Sequence, residues 1–113
     1  MESLVGYCRG RQSVAMPVSS LERFWERLRG LMDPMVRGWV LLDRCASVHT
    51  WGMREPCDLA WLDERGQVTR VDRDVPPRSV RWDPGAAAVL ERRSHRGLWP
   101  EVGERWFFER AAA

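Results

Sequence analysis

The sequence predicts a mainly β protein: a small antiparallel β-sandwich or jelly-roll-like barrel with one N-terminal helix at about residues 20–30. Turn-forming residues recur every eight to twelve residues, a spacing typical of short antiparallel strands. Several segments between these turns alternate apolar and polar residues, as a half-buried strand does. One early stretch has the helical period instead. A chain of 113 residues suits one domain, covering residues 1–113.

The N-terminal part predicts two strands followed by the helix. Residues 3–8 and 13–18 flank an Arg-Gly-Arg-Gln turn, so we expect them to form strands that pair. Ser19 and Glu22 have the spacing of a capping box, and Gly30 is a suitable C-terminal cap. The apolar residues of one helical face follow at i, i+3, i+4 and i+7: Leu21, Phe24, Trp25 and Leu28.

The C-terminal half predicts further strands whose ends are set by turn residues. The turns fall at Glu64-Arg65-Gly66, Pro76-Pro77 and Asp83-Pro84-Gly85, all typical of chain reversals or strand breaks. The strands between and after them are predicted at Gln67–Val75, Ser79–Trp82, Ala86–Arg92 and Arg105–Arg110. Residues 95–101 are expected to form one helical turn.

Residues 38–63 combine the densest apolar sequence with most of the chemically capable side chains. Residues 39–51 predict one long strand, and because both its faces are mostly apolar we expect a central strand covered on both sides. Residues 52–55 predict a hairpin loop, since Gly52 accepts a positive φ and the following proline cannot donate to a ladder. In that register His49 lies directly opposite Asp58, with Cβ atoms ~4.5–5.5 Å apart. A shift of one residue would separate the two side chains.

Composition limits the function classes. No run of about 18 apolar residues occurs, so no membrane-spanning helix is predicted, and the N-terminus lacks a signal-peptide pattern. We therefore expect a cytoplasmic protein without a membrane partner. The net charge is +2 and all 18 basic residues are arginine, which a GC-rich genome explains more simply than phosphate binding.

Nucleic acid is not an expected partner, because charges of both signs are interspersed rather than gathered on one face. Residues 92–96, Arg-Arg-Ser-His-Arg, are the nearest approach to a basic patch, and a solvated loop is the simpler interpretation. If Arg92, Arg93 and Arg96 did bind nucleic acid, the affinity would fall steeply with salt.

Tryptophan and cysteine are both expected to serve the core. Seven tryptophans are spread over the chain, which favours core packing, with two or three lining a binding groove as the alternative. Three cysteines, an odd number, favour free thiols in a protein without an export signal. Buried cysteine usually behaves as a small hydrophobic residue.

The sequence also carries a resemblance to a known family. The residues concerned are Arg29-Gly30-Leu31-Met32, the segment from Ser47 to Arg54, the segment from Pro56 to Asp63, Gly66-Gln67-Val68 and Ala88-Val89-Leu90-Glu91. They resemble the uncharacterised protein family 0127, also called domain of unknown function 192, over roughly residues 13–110. The most specific part is the Gly-Leu-Met step at Gly30-Leu31-Met32 together with a Thr-x-x-Met-x-x-x-x-Asp spacing at Thr50, Met53 and Asp58. The resemblance implies a compact, mainly β fold of the jelly-roll type with one helix, and no established activity.

Mechanistic motifs are scarce. The sequence contains no GxGxxG, HExxH, GxSxG or CxxC pattern, and without lysine it has no phosphate-binding P-loop. A metal site from Cys45, His49 and Asp58 is not expected, because four strand residues separate the first two by ~13 Å. We expect no cofactor.

A candidate site nevertheless surrounds the predicted hairpin. An apolar pocket with a few convergent polar groups is the usual form of a ligand site, and the residues that would line it are His49, Trp51, Met53, Arg54 and Asp58. A structural role for Asp58, capping the hairpin and pairing with His49 or Arg54, is the competing interpretation. The function predicted first is a non-enzymatic accessory or binding module for an unknown protein or small-molecule ligand. The alternative is a small hydrolase-like enzyme that uses His49 and Asp58, or a Cys45 or Cys57 nucleophile with His49 as base.

Overall fold

The structure, a computed structural model, describes residues 2–8, 14–20 and 38–111. The described residues form strands and loops and contain no helix, so the mainly β class is confirmed. The predicted helix at about residues 20–30 lies outside the described residues, except for Ser20, which ends a strand. No helix long and apolar enough to cross a bilayer occurs in the described ranges.

The described residues form nine strands. In chain order they are β1 Glu2–Cys8, β2 Val14–Ser20, β3 Trp39–Asp43, β4 Ser47–His49, β5 Cys57–Leu62, β6 Val68–Val75, β7 Val80–Trp82, β8 Ala88–Arg93 and β9 Trp106–Arg110. Seven of them form one sheet in the order β6-β5-β8-β3-β2-β1-β9, and β4 pairs with β7 as a separate ribbon. Strands β2 and β3 are parallel, whereas the sequence predicted antiparallel pairing throughout. A bridge between Gln67 and Arg105 brings the beginnings of the two outer strands together, so the sheet curls on itself without closing.

Most predicted strands are confirmed, because turn residues set their ends. The two N-terminal strands pair as a hairpin, and β6, β7, β8 and β9 lie within a few residues of their predicted bounds. The predicted helical turn at residues 95–101 is wrong, since this segment is an irregular loop. Its carbonyl groups at His95, Gly97 and Leu98 accept hydrogen bonds from the guanidinium of Arg92, which directs them away from a helical pattern.

The single long strand predicted at residues 39–51 is also wrong. Strand β3 ends at Asp43 and pairs with β8, whereas β4 leaves the main sheet and pairs with β7. The chain changes direction at Arg44, whose φ is 50°, a left-handed conformation that the continuous alternation of the sequence does not reveal.

The core lies on both faces of β3, β5 and β8, as expected for central strands. One face, inside the curl, carries Trp39, which meets Trp99 and Trp106 at ring-centroid distances of 4.9 and 5.2 Å. On the other face the side chains form a second buried cluster, to which Val48 of the ribbon also belongs. Its other members are Val40, Leu42, Cys45, Cys57, Leu59, Trp61, Val75 and Val89. The expectation that tryptophan serves the core holds for four of the described six, since Trp51 and Trp82 are exposed.

Replacing Gly66 by alanine is expected to destabilise the protein by about 2 kcal/mol or more. A left-handed φ costs a non-glycine residue roughly 1–2 kcal/mol, and Gly66 has a φ of +79°. A Cβ there would also lie 2.4 Å from the backbone oxygen of Trp106, so the contact between the turn and β9 would have to move.

The matched control is Gly103→Ala. Gly103 has a φ of +95°, but a Cβ there meets nothing within 4 Å, so the variant isolates the backbone term. Urea unfolding of both variants measures the difference, and equal losses would show that the close approach to Trp106 costs nothing.

Candidate functional site

The predicted pairing of His49 with Asp58 does not form. His49 lies opposite Val80 in the ribbon, whereas Asp58 lies opposite Arg92 in the main sheet. His49 is exposed and Asp58 has 0% of its surface exposed. The turn at Gly52, where φ is 89°, therefore connects two sheets rather than the arms of one hairpin, and it brings no imidazole to this carboxylate.

Asp58 is a structural carboxylate, and both of its oxygens accept hydrogen bonds. Oδ2 accepts a hydrogen bond from Arg92 Nε at 2.9 Å. Oδ1 accepts from the Asp74 amide at 3.0 Å and from Ser94 Oγ at 2.9 Å, and Arg73 Nε lies 3.5 Å away. Burial alone raises the pKa of Asp58, but these hydrogen bonds and the Arg73 charge outweigh it and hold the pKa below its ordinary value.

Arg92 is the counterpart of Asp58 and is buried with only 1% of its surface exposed. Its Nη1 donates to Leu98 O at 2.6 Å, and its Nη2 donates to His95 O and Gly97 O at 3.0 and 3.1 Å. Its guanidinium also lies over the ring of Trp99, 4.5 Å from the centroid. The solvated basic loop expected at residues 92–96 is therefore wrong for Arg92, which holds the loop after β8 from inside.

The three residues of the Thr-x-x-Met-x-x-x-x-Asp spacing each hold a different part of the fold. Thr50 is 1% exposed; its Oγ1 donates to Pro76 O at 2.7 Å and accepts from the Ser79 amide at 2.9 Å. Met53 is half-buried and packs against the core beneath the ribbon. Asp58 is bonded to Arg92 of β8. The three residues together therefore hold the segment that leads from the ribbon into β5.

The thiols are poorly suited to nucleophilic catalysis. Burial raises the pKa of Cys57, and the nearby Glu91 raises it further. Burial also raises the pKa of Cys8. Cys45 donates from Sγ to Ser47 O at 2.9 Å. Since a thiolate is the reactive form, the cysteine alternative has no support from these environments, and all three thiols are buried and free.

Glu91 is a buried acid that sequence reasoning missed. It is 1% exposed, lies opposite Val40 and Leu59 in the two flanking strands, and neither carboxyl oxygen has a hydrogen-bond partner of good geometry. Burial raises the pKa of Glu91 to about 8, and the Cys57 thiol offsets only part of that effect. The carboxyl is thus mostly neutral at pH 7.

The outer face of the ribbon is where the remaining candidate residues come to the surface. Residues opposite each other in a ladder share a face, so Ser47 and His49 lie beside Trp82 and Val80. Trp82 is 65% exposed and Val80 49%. Trp51, which follows β4, is 54% exposed.

We call the face that carries Ser47, His49, Val80 and Trp82, together with the adjoining Trp51, the ribbon face. Arginines are frequent in the segments that form it. Residues 44–56 and 76–82 contain four arginines and one glutamate. Of the four arginines, Arg44, Arg54 and Arg78 are exposed. Arg81 is half-buried and shares the inner face of the ribbon with Val48. The predicted site residues thus divide: His49, Trp51 and Arg54 are exposed in or beside the ribbon, whereas Met53 and Asp58 belong to the interior.

An arginine with a left-handed backbone conformation precedes each strand of the ribbon by two or three residues. Arg44 has a φ of 50° and Arg78 a φ of 61°, values uncommon outside glycine, asparagine and aspartate. Such positions cluster at functional sites. The sequence gives no signal for the left-handed conformation of these two arginines. The position of Trp51 and Trp82 beside turn residues could, however, have indicated that both are exposed on the ribbon face.

No group of three or more histidine, cysteine or acidic side chains suited to a metal ion lies among residues 2–8, 14–20 and 38–111.

Comparison with known proteins gives a fold likeness alone. No family model matches the chain, and no curated protein matches it. A Novosphingobium aromaticivorans protein of unknown function has a similar structure, with a TM-score of 0.77, 17% identity, and coverage of 93% of this chain and 84% of that one. A Sinorhizobium meliloti protein provisionally named a transcription regulator is similar over 96% of this chain and 94% of its own, with a TM-score of 0.75 and 16% identity.

Proposed function

We propose that the protein is a non-enzymatic binding module that docks an extended, acidic segment of another protein on its ribbon face. The observation that carries the proposal is the exposure of Val80 and Trp82 on a two-stranded ribbon, with exposed Trp51 two residues after β4. Tryptophan and arginine are enriched where protein interfaces concentrate their binding energy. Aliphatic and aromatic surface of this kind is stabilised by burial against a partner.

Charge and backbone geometry indicate the chemistry of the partner. Three exposed arginines, Arg44, Arg54 and Arg78, against one glutamate in residues 44–56 and 76–82 favour an acidic segment. Among residues 2–8, 14–20 and 38–111 the ribbon has two strands, and an exposed strand edge is a template for an added strand. On β7 the carbonyl groups of Val80 and Trp82 both accept from arginines, whereas on β4 only Ser47 O is engaged among the described bonds, by Cys45 Sγ. The β4 edge is therefore the better candidate for the added segment.

We also propose membership of the uncharacterised protein family 0127. The motivating residues are Thr50, Met53 and Asp58, whose spacing the resemblance singled out. Each of the three has a structural role here. Structural residues are the ones that members of a family without an established activity would be expected to share.

A photo-crosslinking residue in place of His49 tests the docking surface. We expect it to capture a protein partner in cells that make the protein, and we expect the double variant Trp51→Ser/Trp82→Ser to abolish the product. Since both tryptophans are more than half exposed, their loss should change stability by no more than about 0.5 kcal/mol. Higher salt should weaken the complex.

The control places the same crosslinker at Val102, which is 63% exposed on the loop between β8 and β9, far along the chain from the ribbon. The same product from both positions, or a product unaffected by loss of the two tryptophans, would contradict the proposal.

A further inference from the structure

An open groove of about 440 Å³ lies beside the loop that connects β8 to β9. Pockets for small molecules usually have volumes of roughly 300–1,000 Å³. The walls come from β6 and from the loop, and the residues used below are Val71, Arg73, Arg96, Leu98, Trp99 and Val102. None of them belongs to the ribbon face.

The loop that forms this groove is fixed from within. Arg92 donates to the carbonyl oxygens of His95, Gly97 and Leu98, and Trp99 Nε1 donates to Leu59 O at 3.4 Å. With this many bonds to a buried guanidinium and to β5, the loop has a defined shape before any ligand binds. Such preorganisation lowers the entropic cost of binding.

This fixed loop holds apolar side chains at the surface. Leu98 is 52% exposed and Val102 is 63% exposed. Trp99, which lies between them in the sequence, is buried, with only 4% of its surface exposed. The carbonyl group of Leu98 is held by Arg92, and in this position of the backbone the Leu98 side chain lies at the surface. The apolar surface of the groove is therefore available to an apolar group from outside.

The charges at the groove favour one anionic group. Arg73 is already engaged, with Nε 3.5 Å from Asp58 and Nη2 donating to His95 O. Arg96 is exposed, and no hydrogen bond or ion pair joins its guanidinium to the described residues. Glu101 also lines the groove and disfavours a second negative charge. One arginine with uncommitted donors matches one carboxylate.

We propose that this groove binds a small amphipathic carboxylate, an apolar chain or ring that carries a single anionic group. The apolar part contacts Leu98 and Val102 over the rim of Trp99, and the carboxylate accepts hydrogen bonds from Arg96. The site is separate from the ribbon face, so it would give the module a small-molecule ligand in addition to its protein partner.

The test titrates the whole protein with n-octanoate and with n-octylamine, which has the same chain length and the opposite charge. Backbone amide signals in NMR spectra report the position of binding. We expect octanoate to shift Gly97, Leu98 and Val102 and to bind several-fold more tightly than octylamine. Arg96→Gln should weaken octanoate about tenfold, the size of one charge-assisted hydrogen bond, and should leave octylamine unaffected or slightly tighter.

Two further variants complete the test. Leu98→Ser, at an exposed position, should weaken both ligands, whereas Arg54→Gln beside the ribbon should change neither. Equal binding of the two ligands, shifts confined to the ribbon, an Arg96→Gln variant that binds octanoate normally, or no binding at millimolar concentration would each overturn the proposal. None of these outcomes depends on whether the ribbon face docks a protein.

Discussion

Replacing Asp58 by asparagine is expected to lower the free energy of unfolding by about 3–5 kcal/mol at pH 7, the usual cost of removing one partner of a buried ion pair. Arg92 would remain 1% exposed with its charge uncompensated by the carboxylate at 2.9 Å. The remaining acceptors of Arg92 are neutral carbonyl groups. Urea unfolding, monitored by tryptophan fluorescence, measures the loss.

Two matched variants give this result its meaning. Arg70→Gln removes the pair between Arg70 and Asp72, at 3.1 Å with 40% of the arginine exposed, and should cost less than about 1 kcal/mol. Ser94→Ala removes one neutral donor to Asp58 and should cost about 1 kcal/mol. A loss for Asp58→Asn no larger than that for Arg70→Gln would show that the buried pair does not stabilise the fold.

The same pair contributes to stability against acid. The pKa of Asp58 is lower in the folded protein than its ordinary value of 3.8. The stabilisation by the carboxylate is therefore complete above that ordinary value and is lost as the pH falls through the lower folded value. The acid limb of the stability curve should be shallower in Asp58→Asn than in the wild type.

As the pH rises from about 4.5 to 8, the free energy of unfolding of the wild type should fall, whereas that of the Glu91→Gln variant should not. The stability of the variant relative to the wild type should therefore increase with pH. The pKa of Glu91 rises from 4.5 to about 8 on folding, so the folded state binds more protons than the unfolded state between these values. Its contribution is complete below pH 4.5 and is lost as the pH rises through 8. At about 1.4 kcal/mol per unit of pKa, the wild type should lose several kcal/mol across this window, and Glu91→Gln should not.

Denaturation curves at pH 5, 6, 7 and 8 measure the effect, with Glu55→Gln as the control. Glu55 is exposed, so its removal should leave the pH dependence of the wild type unchanged. Parallel stability curves for Glu91→Gln and the wild type would show that the carboxyl is solvated or ionised in the folded protein, contrary to its burial.

Strand ends were predictable where chemistry fixes the backbone. Gly66 with its positive φ, Pro76-Pro77 and Asp83-Pro84-Gly85 end strands for local reasons, and those boundaries were close to correct. The break after Asp43 was missed because its turn residue is an arginine in a left-handed conformation. Neither the alternation nor the composition of residues 39–51 marks that position.

The partner of Asp58 was missed because the sequence prediction considered only candidates within a local hairpin, His49 and Arg54. The true partner, Arg92, is 34 residues away, and strand order at that distance is set by the whole sheet. One signal did exist: an aspartate inside the apolar strand Cys57–Leu62 requires a cation, and Arg92 ends the largely apolar strand predicted at Ala86–Arg92. Its neighbours Arg93 to Arg96 made that residue look solvated.

The strand order has a consequence for synthesis of the protein on the ribosome. Strand β1 begins at Glu2 but has β9, ending at Arg110, as one of its two neighbours, and β8 fills the gap between β3 and β5. A chain that stops before residue 88 can still pair β3 with β2 and β5 with β6, but the facing edges of β3 and β5 stay unpaired and the main sheet cannot be completed. The main sheet can be completed only after β8 and β9 have left the exit tunnel, and until then the open strand edges favour aggregation.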